Sequence, residues 1–151
     1  MTEPFKDKAI IVTGASGEIG QAIVKGFLEG GARVLAADLD QDALSALEAE
    51  LSGAGHDFAS AVTDVTRAED VERCVAAAMD RFGRVDAFIN NAGIEGPVAP
   101  IEDYPEDAFE SVIGVNVRGV FLGMKYAIPA LRKSGGGSIV NLASVAGLSG
   151  G

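Results

Sequence analysis

A doubly wound parallel α/β sheet, three layers deep with helices on both faces, is the fold class this sequence predicts. Three observations lead to it. Short, nearly continuous β-prone runs recur at residues 8–13, 33–37, 58–62, 85–89 and 138–142, the pattern of strands covered on both faces. Stripes of helical period fill the gaps between them. The resulting strand–helix alternation, within 151 residues, requires an open parallel sheet once right-handed crossovers are imposed.

Each element has its own justification. The first run ends in a glycine-rich loop and is followed by a stripe of Ile19, Ile23 and Phe27, closed by Gly30-Gly31, glycine pairs being common helix stops. Leu44, Leu47 and Leu51 define the second helix. Thr66 and Glu69 have the spacing of a capping box, ahead of a Val71, Val75, Ala78, Phe82 stripe and a terminal Gly83. A long helix over 105–131 starts at a proline with Glu106 and Asp107 in its first turn, where acidic groups suit the helix dipole. Its main stripe is Phe109, Ile113, Val117, Val120, Met124 and Ile128. Val115, Phe121, Leu122 and Tyr126 lie off that stripe, so the helix is apolar nearly all round and should be covered on more than one side. Another part of the chain or a partner subunit would do this. Residues 134–137 form a turn before the last run, and no linker divides the chain, so residues 1–151 read as one domain.

Composition narrows the function. Twelve basic and 22 acidic residues leave a formal charge of −10, which repels phosphate backbones and argues against nucleic-acid binding. An apolar content of 48% is too high for a disordered chain. The lone Cys74 cannot form an intrachain disulfide, and the first apolar run is too short for a signal-peptide core or a membrane span, so a soluble cytoplasmic protein is expected. Cys74 reads as a small core hydrophobe. The single histidine, His56, has no neighbouring cluster that suggests a metal.

The chemistry gathers at strand ends. Thr13-Gly14-Ala15-Ser16-Gly17-Glu18-Ile19-Gly20 joins the first strand to the first helix. Such glycines allow a tight turn and close approach of a pyrophosphate to the helix N-terminus. A plain glycine turn is the bland alternative. The second strand runs into Asp38, 18 residues beyond Gly20. A carboxylate there can accept both hydroxyls of an adenosine ribose and repels a 2′-phosphate, which favours NAD over NADP. Its bland alternative is a solvated strand-end carboxylate.

With these residues the chain resembles the short-chain dehydrogenase/reductase family, whose domain is of Rossmann type. The likeness extends through Asp64-Val65, Asn90-Asn91-Ala92-Gly93 (the family's N-N-A-G motif), Asn116 and Ser144. It implies an oxidoreductase that transfers a hydride between NAD and a secondary alcohol or ketone. Cofactor contacts would come from Gly14, Ser16, Gly17, Ile19, Gly20, Asp38, Leu39, Asp64, Val65, Asn91, Ala92 and Gly93, with Asp64-Val65 at the adenine. Ser144 would bond the substrate oxygen. Asn116 would bend its helix and hold a water in the proton relay. Without the resemblance, Ser144 reads as a turn residue and Asn116 as a satisfied core amide. The family's loop places a glycine where this chain has Glu18, a spacing similar to the family's extended branch. An outward-pointing Glu18 would leave cofactor binding intact and one facing the pyrophosphate would lower the affinity; retained binding is the expectation.

The family's acid/base tyrosine sits four residues before a lysine. Here Tyr104 is followed at that spacing by Ala108, and Tyr126 by Ala130. The chain therefore reads as the front part of a longer protein that would form a dimer or tetramer through the 105–131 helix. A non-catalytic dinucleotide-binding fragment or regulatory module is the alternative.

Overall fold

The computed structural model describes residues 3–51 and 55–149. Its strands are β1 (Ala9–Thr13), β2 (Arg33–Asp38), β3 (Phe58–Val62), β4 (Ala87–Asn90) and β5 (Ser138–Asn141). All pair in parallel, in the order β3-β2-β1-β4-β5. Helices α1 (Glu18–Glu29), α2 (Gln41–Leu51) and α3 (Ala68–Phe82) fall between the first four strands. A helical run of α4 (Glu106–Ile113), a π-helical turn (Gly114–Gly119) and α5 (Val120–Lys133) then leads to β5, and a short α6 (Ala146–Ser149) follows. The expected three-layer parallel α/β sheet is therefore the observed one.

Side-chain alternation in the central strands feeds two cores. Ala9, Ile11, Leu35, Ala37 and Phe88 point toward α3 and α5, where Cys74, Ala78, Phe82 and Leu131 meet them. Ile10, Val12, Val34, Ala36 and Ile89 point the other way, onto Val24 and Leu28 of α1 and Leu44, Leu47 and Leu51 of α2. The period of two along each strand thus supplies both layers. The outer strands differ from the sequence expectation. β3 is mostly half-buried and β5 largely exposed, because each has a neighbour on one side only.

Three helical expectations are corrected. In α1 the buried ridge is Gly20, Val24 and Leu28, one residue on from the expected stripe. Ile19 is exposed while Ile23 and Phe27 are half-buried, because it is Gly20 that lets the helix start lie on the glycine loop. The Thr66–Glu69 capping box does not form. Arg67 is the N-cap without a side-chain bond, and the Thr66 hydroxyl donates instead to Asp64 Oδ1 at 2.6 Å. The α3 stripe itself is buried, and Gly83 closes the helix in the left-handed region at φ 75°, where glycine is strain-free.

The third correction concerns the long helix. Phe109, Ile113, Val117 and Ile128 of the expected core stripe are exposed, as is Phe121. Gly119, Leu122, Gly123, Ala127, Ala130 and Leu131 are the residues buried. The sheet-facing ridge consists largely of small residues, and the π-helical turn shifts the phase of the pattern.

Candidate functional site

The strand order reverses at β1, whose neighbours β2 and β4 connect through helices on opposite faces. In open α/β sheets the crevice at the carboxyl ends of such strands is where ligands bind. A cleft of about 880 Å³ lies there, within the roughly 300–1,000 Å³ of ligand pockets.

Its floor is the glycine loop. Gly14 turns the chain at φ +61°, and a Cβ on it would lie 2.8 Å from the Ala92 Cα. A Cβ on Gly20 would run into the Gly14 carbonyl oxygen. Glycine is required at both places by backbone approach. Gly17 precedes α1 in extended conformation, and the first N–H groups of any helix lack intrahelical acceptors. The loop is tied to both neighbouring strands. The Thr13 hydroxyl accepts the N–H groups of Asn91 and Ala92, each at 3.1 Å. Asn91 Nδ2 donates back to the carbonyls of Thr13 and Gly14 at 2.9 and 3.0 Å. On the other side the Ser16 N–H donates to Asp38 Oδ2 at 2.9 Å, which fixes the β2 carboxylate beside the loop.

The remaining walls follow β3 and the long helix. The Thr63 N–H donates to the Asp38 carbonyl at 2.7 Å. Asp64 Oδ1 accepts both the N–H and the hydroxyl of Thr66, and the Asp64 N–H donates to Asp70 Oδ2 at 3.2 Å. That backbone bond, with Arg73 and Arg67 alongside, holds the Asp70 carboxyl below the usual range against its partial desolvation. Val65 packs on Gly119 at a distance a Cβ there would shorten to 3.0 Å, and this brings Val115 into the cleft wall.

All twelve residues expected to contact the cofactor, from Gly14 to Gly93, line this one cleft. The two expected catalytic residues do not. Asn116 lies in the π-helical turn, where its Oδ1 accepts the Ile94 N–H and its Nδ2 donates to the Ile94 carbonyl, both at 2.9 Å. It is exposed rather than a core amide. It acts on the cleft through Ile94, which is a lining residue. Ser144 is exposed just past β5, and its hydroxyl accepts the Ala146 N–H at 3.2 Å, the behaviour of a turn residue.

Sequence reasoning missed several lining residues: Asp40, Ala43, Thr63, Ile94, Glu95 and Val115. Thr63 and Asp40 each lie within two positions of a strand end, a signal that could have found them. Val115 could only be placed once the π-helical turn was known. Five carboxylates line the cleft, those of Glu18, Asp38, Asp40, Asp64 and Glu95, and no lysine, arginine or histidine among the described residues does. Cys74 lies away in the core, where burial pushes its thiol up to about 12 despite a bond with Thr63. Among the described residues no three potential ligands group to hold a metal ion, and no helix is long and apolar enough to cross a membrane.

A glycine cradle, free N–H groups at a helix start and a strand-end carboxylate together suit an elongated ligand that carries phosphates in its middle and a diol at one end. The comparisons with known proteins point the same way. A sequence model described as short chain dehydrogenase matches residues 8–151. Levodione reductase of Leifsonia aquatica is 36% identical over 99% of this chain and 57% of its own. (+)-Borneol dehydrogenase 2 of Salvia officinalis is 42% identical over 95% of this chain and 51% of its own. A crystal structure of NAD+-bound xylitol dehydrogenase superposes with a TM-score of 0.93 at 38% identity, over 97% of this chain and 56% of that one. The chain thus spans little more than half the length of the relatives it matches.

Proposed function

Because the chain belongs to the short-chain dehydrogenase family, we propose that it is the cofactor-binding part of an oxidoreductase that uses NAD to exchange a hydride with a secondary alcohol or ketone. The observation that carries this reading is the convergence of the glycine loop, Asp38 and Asn91-Ala92-Gly93 on one cleft at the switch point of the sheet. Relatives named as a reductase and a dehydrogenase support the oxidoreductase class, and the NAD+ of a structural neighbour supports the cofactor.

In this reading Gly14, Ser16, Gly17, Ile19 and Gly20 hold the pyrophosphate against the start of α1. Asp38 and Leu39 flank the adenosine ribose, and Asp64 and Val65 flank the adenine. Asp38 selects NAD over NADP, since no cation among the described residues lines the cleft to offset repulsion between its carboxylate and a 2′-phosphate. Asn91, Ala92 and Gly93 close the nicotinamide end, with Asn116 fixing Ile94 beside them. Ser144 would hydrogen-bond the substrate oxygen after its segment reorients away from the Ala146 N–H. The intact protein would be a cytoplasmic homo-oligomer joined through the exposed stripe of α4 and α5.

A second reading concerns the 151-residue chain itself. Neither tyrosine has a lysine four positions on, since Ala108 and Ala130 stand there, so this polypeptide holds no tyrosine–lysine pair to move the proton. It is then a non-catalytic dinucleotide-binding module. Fluorescence titration with NADH, run beside a turnover assay over secondary alcohols and NAD+, separates the two. Saturable NADH binding with no turnover is expected of this chain, with NADPH at least about tenfold weaker. Absence of NADH binding would overturn both readings.

A further inference from the structure

The cofactor reading leaves one side chain in the cleft unexplained. Glu18 is the first residue of α1, is exposed, and lines the cleft in the first turn, where the family's loop has a glycine. Its carboxylate has no hydrogen-bond or ion-pair partner among the described residues. The helix backbone does not require it, because Gly17 before it and Gly20 after it already provide the turn and the close approach. The nearest lysine of the same helix, Lys25, is engaged with Glu50 at 2.7 Å.

No cationic side chain among the described residues therefore pairs with the charge at this position. It stands in the positive field of a helix N-terminus, the field that attracts an anionic ligand. Four more carboxylates share the cleft, and no cation among the described residues lines it. A pyrophosphate entering there meets an anion already placed at the end of the dipole.

We propose that Glu18 is an affinity-setting residue, whose carboxylate holds dinucleotide binding weak by repelling the pyrophosphate at the start of α1. The inference rests on the cofactor reading given above. It gives binding an unusual salt dependence. Salt weakens the binding of an anion to a cationic site, but here screening relieves repulsion, so affinity rises with ionic strength. Two like charges a few ångströms apart across water interact weakly, so neutralising Glu18 should change affinity by roughly three- to tenfold rather than by orders of magnitude.

The test titrates NADH into the 151-residue chain and into its Glu18→Gln and Glu18→Gly variants, at about 10 mM and about 300 mM salt, either side of a screening length of about 10 Å. Glu72→Gln, an exposed change of equal charge on α3 outside the cleft, is the control, and melting curves confirm folding of each. Both Glu18 variants should bind NADH roughly three- to tenfold tighter at low salt. The gap should narrow at high salt as the wild-type chain tightens, and Glu72→Gln should match wild type. Equal affinities for wild type and Glu18→Gln at low salt would overturn the inference while leaving the cofactor site standing. Equal tightening by Glu72→Gln would overturn it too, by showing an effect of net charge alone. If no protein in the set binds NADH at either salt, the cofactor reading itself fails and this inference with it.

Discussion

Asp86, at the end of the sheet opposite the cleft, concentrates more charged contacts than any residue of the site. Its oxygens accept the Ala9 N–H at 2.9 Å, the Lys8 ammonium at 3.3 Å and a two-pronged Arg84 at 2.8 and 2.6 Å. Burial opposes its ionisation, but the Arg84, Ala9 and Lys8 donors outweigh that and hold the carboxyl below its usual value. A depressed folded-state pKa contributes stability that is present above the unfolded value of about 3.9 and lost as pH falls through the folded one. Asp86→Asn should therefore cost about 1–2 kcal/mol at neutral pH, a modest figure because Lys8 and Arg84 remain partly solvated. In urea titrations the gap to wild type should hold from pH 7 to 5 and close below about pH 4; a gap independent of pH would refute the ionic account. Nothing in the sequence marks this residue, since the Lys8 and Ala9 partners are 78 and 77 positions away. Gly14 and Gly20 were legible because one local loop imposes their requirements.

The run of α4, the π-helical turn and α5 is where sequence and structure part most. Periodicity weights large apolar side chains, and here those mark the exposed face. Contact with the sheet needs close approach, which Gly123, Ala127 and Ala130 provide. A Cβ on Gly123 would press into the Asn90 amide and lie 2.8 Å from Phe88 Cε1. The π-helical turn between the two helices aims Asn116 at Ile94, so this element sets the position of the loop after Gly93. Asn116→Ala removes both bonds to Ile94 and should cost about 1–2 kcal/mol locally. Hydrogen exchange should show faster amide exchange over residues 93–98 with α5 unchanged. Unchanged exchange in that loop would mean that Tyr104, whose hydroxyl packs on Gly96, holds it alone.

Over the whole molecule the order of elements was legible, because a parallel sheet covered on both faces writes itself as alternating short apolar runs and helical stripes. What covers the outer faces was not. Phe109, Ile113, Val117, Phe121 and Ile128 lie exposed along one side, and Val140, Leu142, Val145 and Leu148 at the β5 end. The homo-oligomer proposed above would cover the first of these faces, as exposed apolar patches commonly do at interfaces. Sedimentation velocity should show association of the chain that grows with concentration, and Phe109→Glu with Phe121→Glu should suppress it while the melting temperature stays nearly constant. Association undiminished in that variant would shift attention to the β5 edge. The tie from Ser16 to Asp38 has a consequence for redesign. The carboxylate that would choose the cofactor also pins the glycine loop to the neighbouring strand, so exchanging it for a residue that welcomes a phosphate discards a structural clasp. If Asp38 sets the preference as proposed, preference and loop geometry share one side chain, and a change of preference would need a second substitution to restore the lost acceptor.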